Sequence, residues 1–369
     1  MDRTSSASRE IDEPACCCVA QMTPVRAQPP AEDVVATLYG VGDVRVESRP
    51  LPELGRHDVL VALRSVGVCG SDIHYFEHGR MGSRVVESPL VLGHEASGVI
   101  VDCGESARQH EIGQRVAIEP GVPCRRCREC RSGRYNLCRD MRFLATPPID
   151  GAFRRFIAMP EDFVFEIPIE MSDDAGALLE PLSVGIWACK QGGVSIGDRV
   201  LVTGAGPIGN LAAQAACVAG AVEVTVADIN ADRLRRSASC SCVRTVTLRS
   251  GAVEGEFDVL LECTGSAELT AQSIVFLRPS GTAVLVGAGT DPDVSLPLDA
   301  IRRRELKVVG DFRYANTFPT AIALASSGRI DLEGLVDARF GLTEIDRALR
   351  ATREDPSLLK VMVDVTIGT

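Results

Sequence analysis

Aromatic residues are scarce in this 369-residue chain: they make up 4%, with a single Trp and four Tyr. A hydrophobic fraction of 45% then has to come from Ala, Val and similar small residues, the composition of an ordinary globular protein. Basic residues are also short, 39 against 50 acidic ones, and the net charge of −11 excludes nucleic acid and an anionic membrane as partners. An uninterrupted apolar run is missing too. Val200 to Val222 carries no charge, but Gly204, Gly206, Pro207, Gly209 and Gly220 punctuate it, so it reads as strand, turn and helix rather than a membrane span. No secretion signal opens the chain: Asp2, Glu10, Asp12 and Glu13 crowd the start, and the apolar run from Cys16 to Ala20 is too short. A cytoplasmic location is expected. Cysteine, by contrast, is plentiful, with 14 residues. In a reducing compartment clustered cysteines bind metal more often than they pair.

The length fits two domains. Residues 1–33 mix Ser, Pro, Arg and acids without period and read as a disordered tail. Cys16-Cys17-Cys18 has no partner motif nearby and is taken as part of that tail, not as a metal or acylation site. Alternating apolar residues begin near Val34, with a turn at Gly40 to Asp43 and short strands at Asp58 to Ser65, Ala96 to Asp102 and Arg115 to Ile118. A mostly β domain is expected to about residue 185.

Two donor clusters fall inside it. Cys124-x2-Cys127-x2-Cys130-x7-Cys138 has the spacing of a closed tetrahedral zinc site, in a segment too rich in glycine and arginine to bury four thiols in a core. The other is Cys69-Gly-Ser-Asp-Ile-His74, answered by Gly93-His94-Glu95. A thiol, an imidazole and a carboxylate can hold zinc and leave one position open, as catalytic sites do. A carboxylate in the apolar stretch around Glu95 needs a cation or a donor. Glu180 likewise interrupts an apolar run. It reads either as a helix N-terminal carboxylate ahead of Pro181 or as a zinc ligand or base.

A dinucleotide unit is expected from 186. Arg199 to Thr203 is a short strand, Gly204-Ala-Gly206-Pro-Ile208-Gly209 supplies G-x-G-x-x-G, and Asn210 to Ala219 is helical. A second strand, Glu223 to Ala227, ends at Asp228, where a carboxylate accepts from a ribose 2′-hydroxyl and repels a 2′-phosphate; that selects NAD over NADP. Strands at Val243 to Leu248, Asp258 to Glu262, Thr282 to Val286 and Lys307 to Gly310 complete a parallel sheet. Beyond 312, Thr317 to Ser326 and Glu344 to Thr352 are helical. Leu359 to Val365 is a closing strand expected to rejoin the first domain. A zinc that polarises a hydroxyl beside a cofactor that takes hydride points to an alcohol dehydrogenase.

With these motifs in place, residues 34 to 369 resemble the zinc-dependent medium-chain dehydrogenases, and most closely their sorbitol/xylitol (polyol) branch. The resemblance rests on Cys69 to Tyr75, Glu77 to Gly82, Gly93 to Glu95, Leu179 to Val184, the four-cysteine lobe, Gly204 to Gly209 and Phe312 to Thr317. It implies an α/β architecture: a GroES-like, mostly β catalytic domain over 34–185 and 313–369, and a doubly wound Rossmann domain over 186–312. It implies catalytic zinc at Cys69, His94 and Glu95, with Glu180 as alternative ligand or as base through water. Tyr75, Phe143, Arg313 and Tyr314 would line a polyol pocket. Gly204, Gly206, Ile208, Gly209, Asp228, Arg233, Val286, Gly287, Ala288 and Phe312 would hold NAD. A proton would leave through Ser71 and His74 or through Glu180, although Ser71 reads equally as a turn hydroxyl. A homo-oligomer, tetramer or dimer, is implied.

Two features depart from the family pattern. The tail has no counterpart, and the stretch from Asp228 to Glu262 is short, with Ser237 to Cys242 where relatives carry a longer helix. The competing readings are a related enzyme acting on idonate, threonine or another secondary alcohol, and a silent relative kept as a binding protein. No zinc ligand or cofactor glycine is lost, which argues against the last.

Overall fold

A computed structural model of the chain describes residues 30–237, 242–248, 252–289 and 293–367. Cys16 to Cys18 and all but the end of the expected tail lie outside them. Order starts at β1 (Glu32–Gly40), which turns at Gly42 (φ +70°) into β2 (Asp43–Pro50). Then come β3 (Asp58–Gly67), α1 (Gly70–His78), β4 (Leu90–Val91), β5 (Glu95–Cys103), β6 (Arg115–Ile118), β7 (Phe156–Pro160) and β8 (Val164–Glu166). The strand β4 adds to β1, and its last residue leads through Leu92 and Gly93 directly into β5. Antiparallel pairing of β3 with β5 sets Gly67 opposite Glu95, so the end of one strand meets the start of the other.

One helix joins the two halves. α2 (Leu179–Gly192) crosses position 186, where the sequence places the domain boundary, and ends at Gly193 in the left-handed region. It lies so close to the next helix that a Cβ on Gly185 would sit 2.9 Å from the Ala212 backbone nitrogen.

The second half is a six-stranded parallel sheet: β9 (Arg199–Thr203), β10 (Glu223–Asp228), β11 (Val243–Thr247), β12 (Phe257–Glu262), β13 (Leu277–Leu285) and β14 (Lys307–Gly310). Its order, β11-β10-β9-β12-β13-β14, is the doubly wound arrangement, with a switch point beside β9. The central strand's Val200, Leu201 and Val202 are fully buried, as a strand covered on both faces requires. The helices are α3 (Pro207–Ala219), α4 (Ala231–Ser237), α5 (Ala267–Ser273) and α6 (Leu298–Arg303). The helix α4 has seven residues. A disulfide joins Cys217, near the end of α3, to Cys242, just before β11. This pair departs from the expectation that cysteines here bind metal rather than pair: the two stand 25 positions apart and become neighbours only once β10 and β11 align.

After α7 (Phe318–Ser326), the chain returns through β15 (Val336–Gly341), α8 (Ile345–Glu354) and β16 (Lys360–Asp364). The expected closing strand is β16: it pairs with β3 and with β15, completing the seven-stranded sheet β8-β6-β5-β3-β16-β15, with β7 also on β3. Among the described residues, no helix is long and apolar enough to cross a membrane.

Candidate active site and metal centres

The site is built where β3 ends. Cys69 caps α1 with extended backbone, and Asp72, three residues on, returns its carboxylate to that cap: Cys69 N–H donates to Oδ2 at 3.0 Å. The other oxygen, Oδ1, accepts from Gly93 N–H at 2.9 Å. One fully buried carboxylate therefore ties together the two chain segments that carry Cys69 and His94. Glu95 points from β5 toward Gly67 across the ladder. A Cβ at 67 would lie 2.0 Å from Glu95 Oε2, so glycine leaves the room the carboxylate occupies.

Lys360, the first residue of β16, forms an ion pair with Glu95 Oε2, and its Nζ donates to Val68 O at 3.0 Å. Both side chains are essentially buried, at 3% and 1% exposure. A carboxylate has two oxygens, so pairing one with Lys360 leaves the other for a metal. The ligand atoms of Cys69, His94 and Glu95 all lie within 4.8 Å of one another. Burial would lower the His94 imidazole, but the Cys69 thiolate and Asp72 outweigh it and hold its pKa well above the usual value. Metal binding there must expel protons. The mixed sulfur, nitrogen and oxygen donor set suits zinc with an open position.

Around this cluster, Phe143 lies 5.6 Å from His94, ring to ring. The Arg313 guanidinium stacks 3.7 Å above Phe143 and 4.9 Å from the Phe312 ring. Burial, then Arg84, draws the pKa of Arg313 down to about 10, which leaves it charged at neutral pH. Tyr314 O–H donates to Glu180 Oε1 at 2.8 Å. Burial pushes Glu180 up to about 7, and it lies within electrostatic reach of His94, Glu95 and Lys360. Tyr75, on α1, is buried, and burial raises its hydroxyl pKa. Ser71 and His74 are half-buried on the same helix, with His74 5.7 Å from His78.

The four-cysteine lobe forms a second centre. Cys124, Cys127, Cys130 and Cys138 have sulfurs within 4.8 Å of one another; Cys124 and Cys130 are 3.9 Å apart and Cys127 and Cys130 3.4 Å. Sulfurs at about 2.3 Å from a tetrahedral centre stand about 3.8 Å apart, so the cage has the size of a zinc site. Backbone N–H groups of Arg126 and Cys127 draw the Cys124 thiol down to about 6, while burial pushes Cys130 up to about 12 and raises Cys138, so a metal entering the cage must expel protons.

At the switch point, Gly204 takes φ +94°, a Cβ added there would sit 2.9 Å from Thr264 Cγ2, and a Cβ at Gly209 would sit 1.8 Å from Gly204 O. A Cβ at Gly206 would meet nothing within 4 Å, leaving open space ahead of the α3 N-terminus for a pyrophosphate. Ile208 is in the first turn of α3. Asp228 Oδ2 accepts from Ala205 N–H at 2.6 Å and Oδ1 from Asn230 N–H at 2.7 Å, so the carboxylate also braces the glycine loop. The Arg233 guanidinium donates to Pro356 O at 2.8 Å and to Leu358 O at 3.5 Å. Val286, Gly287 and Ala288 follow β13, where the Val286 and Gly287 amides donate to Glu262 O. Phe312, half exposed at 51%, flanks the end of β14.

Three supporting residues were not singled out from sequence. Asp72 offered a signal, an acid three residues after a capping position. Lys360 offered a weaker one, a lone cation heading the apolar strand Lys-Val-Met-Val. Glu262 is buried and accepts from Thr264 N–H at 2.8 Å and Gly265 N–H at 3.1 Å, shaping the loop beside Gly287.

Comparison with known proteins agrees with this geometry. Residues 55–169 match the alcohol dehydrogenase GroES-like domain, and residues 207–327 match the zinc-binding dehydrogenase domain. The chain is 41% identical over 343 residues to a sorbitol dehydrogenase of Mus musculus, covering 90% of this chain and 96% of that one. L-Idonate 5-dehydrogenase from Escherichia coli superposes with a TM-score of 0.85 at 29% identity, covering 90% of this chain and 98% of that one. A zinc-binding dehydrogenase from Sinorhizobium meliloti, bound to NADP, gives 0.83 at 30% identity, covering 91% and 100%. The chain belongs to the zinc-dependent medium-chain dehydrogenases, in their polyol dehydrogenase branch, and is an oxidoreductase acting on alcohols.

Proposed function

We propose that the protein oxidises a secondary hydroxyl of a sorbitol- or xylitol-like polyol to the ketose, with hydride transfer to NAD. The observation that carries this reading is the cluster of Cys69, His94 and Glu95 donors beside Arg313 and Tyr314, two hydroxyl-binding side chains that a simple alcohol does not need. Zinc held by Cys69, His94 and Glu95 supplies Lewis-acid polarisation of a hydroxyl, and a nicotinamide cofactor on the Gly204–Gly209 loop supplies the hydride acceptor. Cys124, Cys127, Cys130 and Cys138 hold a structural zinc.

The chain's own residues do the rest. Arg313, fixed by stacking on Phe143, points several N–H donors at neighbouring hydroxyls, and Tyr75 closes the pocket wall. Glu180, pushed up to about 7 by burial, is suited to accept the departing proton while Tyr314 holds its carboxyl in place. Ser71 and His74 offer the alternative proton path. Gly204, Gly206, Ile208 and Gly209 seat the pyrophosphate; Asp228 takes the ribose and disfavours NADP. Val286, Gly287, Ala288 and Phe312 flank the nicotinamide, and Arg233 reaches the cofactor only by releasing Pro356 and Leu358. The protein works as a cytoplasmic homo-oligomer, a dimer or tetramer.

The test is reduction of NAD, with NADP in parallel, on sorbitol, xylitol, ribitol, idonate, threonine and 2-butanol, with and without a zinc chelator. Chelator-sensitive turnover of a polyol with NAD is expected. Turnover of idonate or threonine alone would keep the chemistry and refute the polyol.

A further inference from the structure

The segment that brings Arg313 and Tyr314 to the site is held from outside, at both of its ends, by the four-cysteine lobe. At one end Asn136 Nδ2 donates to Phe312 O at 2.9 Å, and its buried Oδ1 has no hydrogen-bond partner among the described residues. At the other end Asn316 N–H donates to Tyr135 Oη at 2.8 Å, and Asn316 Nδ2 donates to Gly133 O at 2.9 Å. Tyr135 is itself fixed, because its O–H donates at 2.7 Å to Glu119 Oε1, a buried carboxyl at the end of β6.

Between these clasps the backbone is strained. Arg313 and Asn316 both stand at φ +56°, in the left-handed region, which asparagine tolerates and arginine does not. Such a conformation persists only where its surroundings impose it. Here the surroundings are residues 133–136, which lie between the cysteine ligands Cys130 and Cys138. What the clasp fixes is useful to the site: the stack of Arg313 on Phe143.

We infer that the four-cysteine lobe is a positioning device for polyol recognition, acting through Tyr135, Asn136 and Asn316 on the Phe312–Asn316 segment. This assigns the lobe a part in substrate binding beyond its own folding, and it rests on the polyol reading above. Tyr135 and Asn136 touch neither substrate nor metal. Their effect passes through the placement of Arg313, so it appears in KM for a substrate with several hydroxyls and not in the oxidation of a hydroxyl as such.

The experiment takes whichever polyol the panel above shows to be oxidised, and 2-butanol as a substrate with no second hydroxyl. If the panel shows no polyol turnover, the polyol reading itself fails before any variant is made. Asn136→Ala and Tyr135→Phe are measured for KM and kcat on both substrates, with zinc content and thermal unfolding checked. Each is expected to raise polyol KM three- to ten-fold, with kcat and the 2-butanol kcat/KM within two-fold and zinc content unchanged. Glu119→Gln keeps an acceptor for Tyr135 and is expected to keep the parent KM. Unchanged polyol KM in both variants would overturn the inference, and so would an equal loss on polyol and 2-butanol, which marks general damage. If Asn136→Ala does not fold, Tyr135→Phe, which removes one hydroxyl, decides alone.

Discussion

Replacing Lys360 with Met keeps the side chain's bulk and deletes its charge. In the metal-free protein Glu95 then remains 1% exposed without its lysine counter-charge, and Val68 O loses its donor. Breaking a buried pair by removing one partner costs about 3–5 kcal/mol, because the remaining charge stays buried and uncompensated. With a urea slope of about 3 kcal/mol/M, a value at the upper end for small domains, the midpoint falls by about 1–1.7 M. The assay is urea unfolding of the chelator-treated, metal-free proteins, followed by Trp187 fluorescence and far-UV circular dichroism. The double variant Lys360→Met/Glu95→Gln removes the orphaned charge. Its loss should be smaller than the sum of the two single losses by at least 1 kcal/mol, beyond the usual scatter for independent sites of about 0.3–0.5 kcal/mol. A Lys360→Met protein within 1 kcal/mol of the parent, or a strictly additive double variant, would refute the claim that Lys360 balances the charge of the Cys69–His94–Glu95 site.

Two further outcomes test other parts of the molecule. Asp228→Ser removes the carboxylate at the expected ribose position, so the ratio of kcat/KM with NAD to that with NADP should fall by about ten-fold or more; an unchanged ratio would show that selectivity resides elsewhere. Burial pushes Asp311 up to about 7 from an ordinary 3.8, and its Oδ1 has no hydrogen-bond partner among the described residues. The native state thus holds this proton more tightly than the unfolded chain, and its contribution, full below about pH 4, is lost as pH rises through 7. Asp311→Asn should match the parent below about pH 4 and exceed it by about 2–4 kcal/mol at pH 8, allowing for the carboxyl's partial exposure; parallel stability–pH profiles would contradict this.

Much of the fold was legible because its signals are local. Arg199–Thr203 and Lys307–Gly310 form strands with the expected limits, and the glycine triplet opens α3 where the spacing places it. The four cysteines fall within fifteen residues, so their convergence needed no knowledge of the rest of the chain. What escaped is long-range. Lys360 reaches Val68 across 292 positions, and Asn136 reaches Phe312 across 176. No periodicity marks such a partner, since only closure of β16 onto β3, or of the lobe onto the β14 exit, brings the groups together. Arg233 shows the same limit in reverse. The resemblance implies a cofactor role for it, and nothing local announces that its guanidinium also donates to carbonyls more than 120 positions away.

The central claim is that Cys69, His94 and Glu95 hold the zinc on which alcohol oxidation depends, apart from the zinc of the four-cysteine lobe. The most direct measurement is the zinc content and NADH formation of Cys69→Ala beside the parent, each confirmed as folded. The parent should carry two zinc ions per chain, one for each donor group. Cys69→Ala should carry one and lose polyol oxidation. A Cys69→Ala protein that keeps both ions and its turnover would contradict the account.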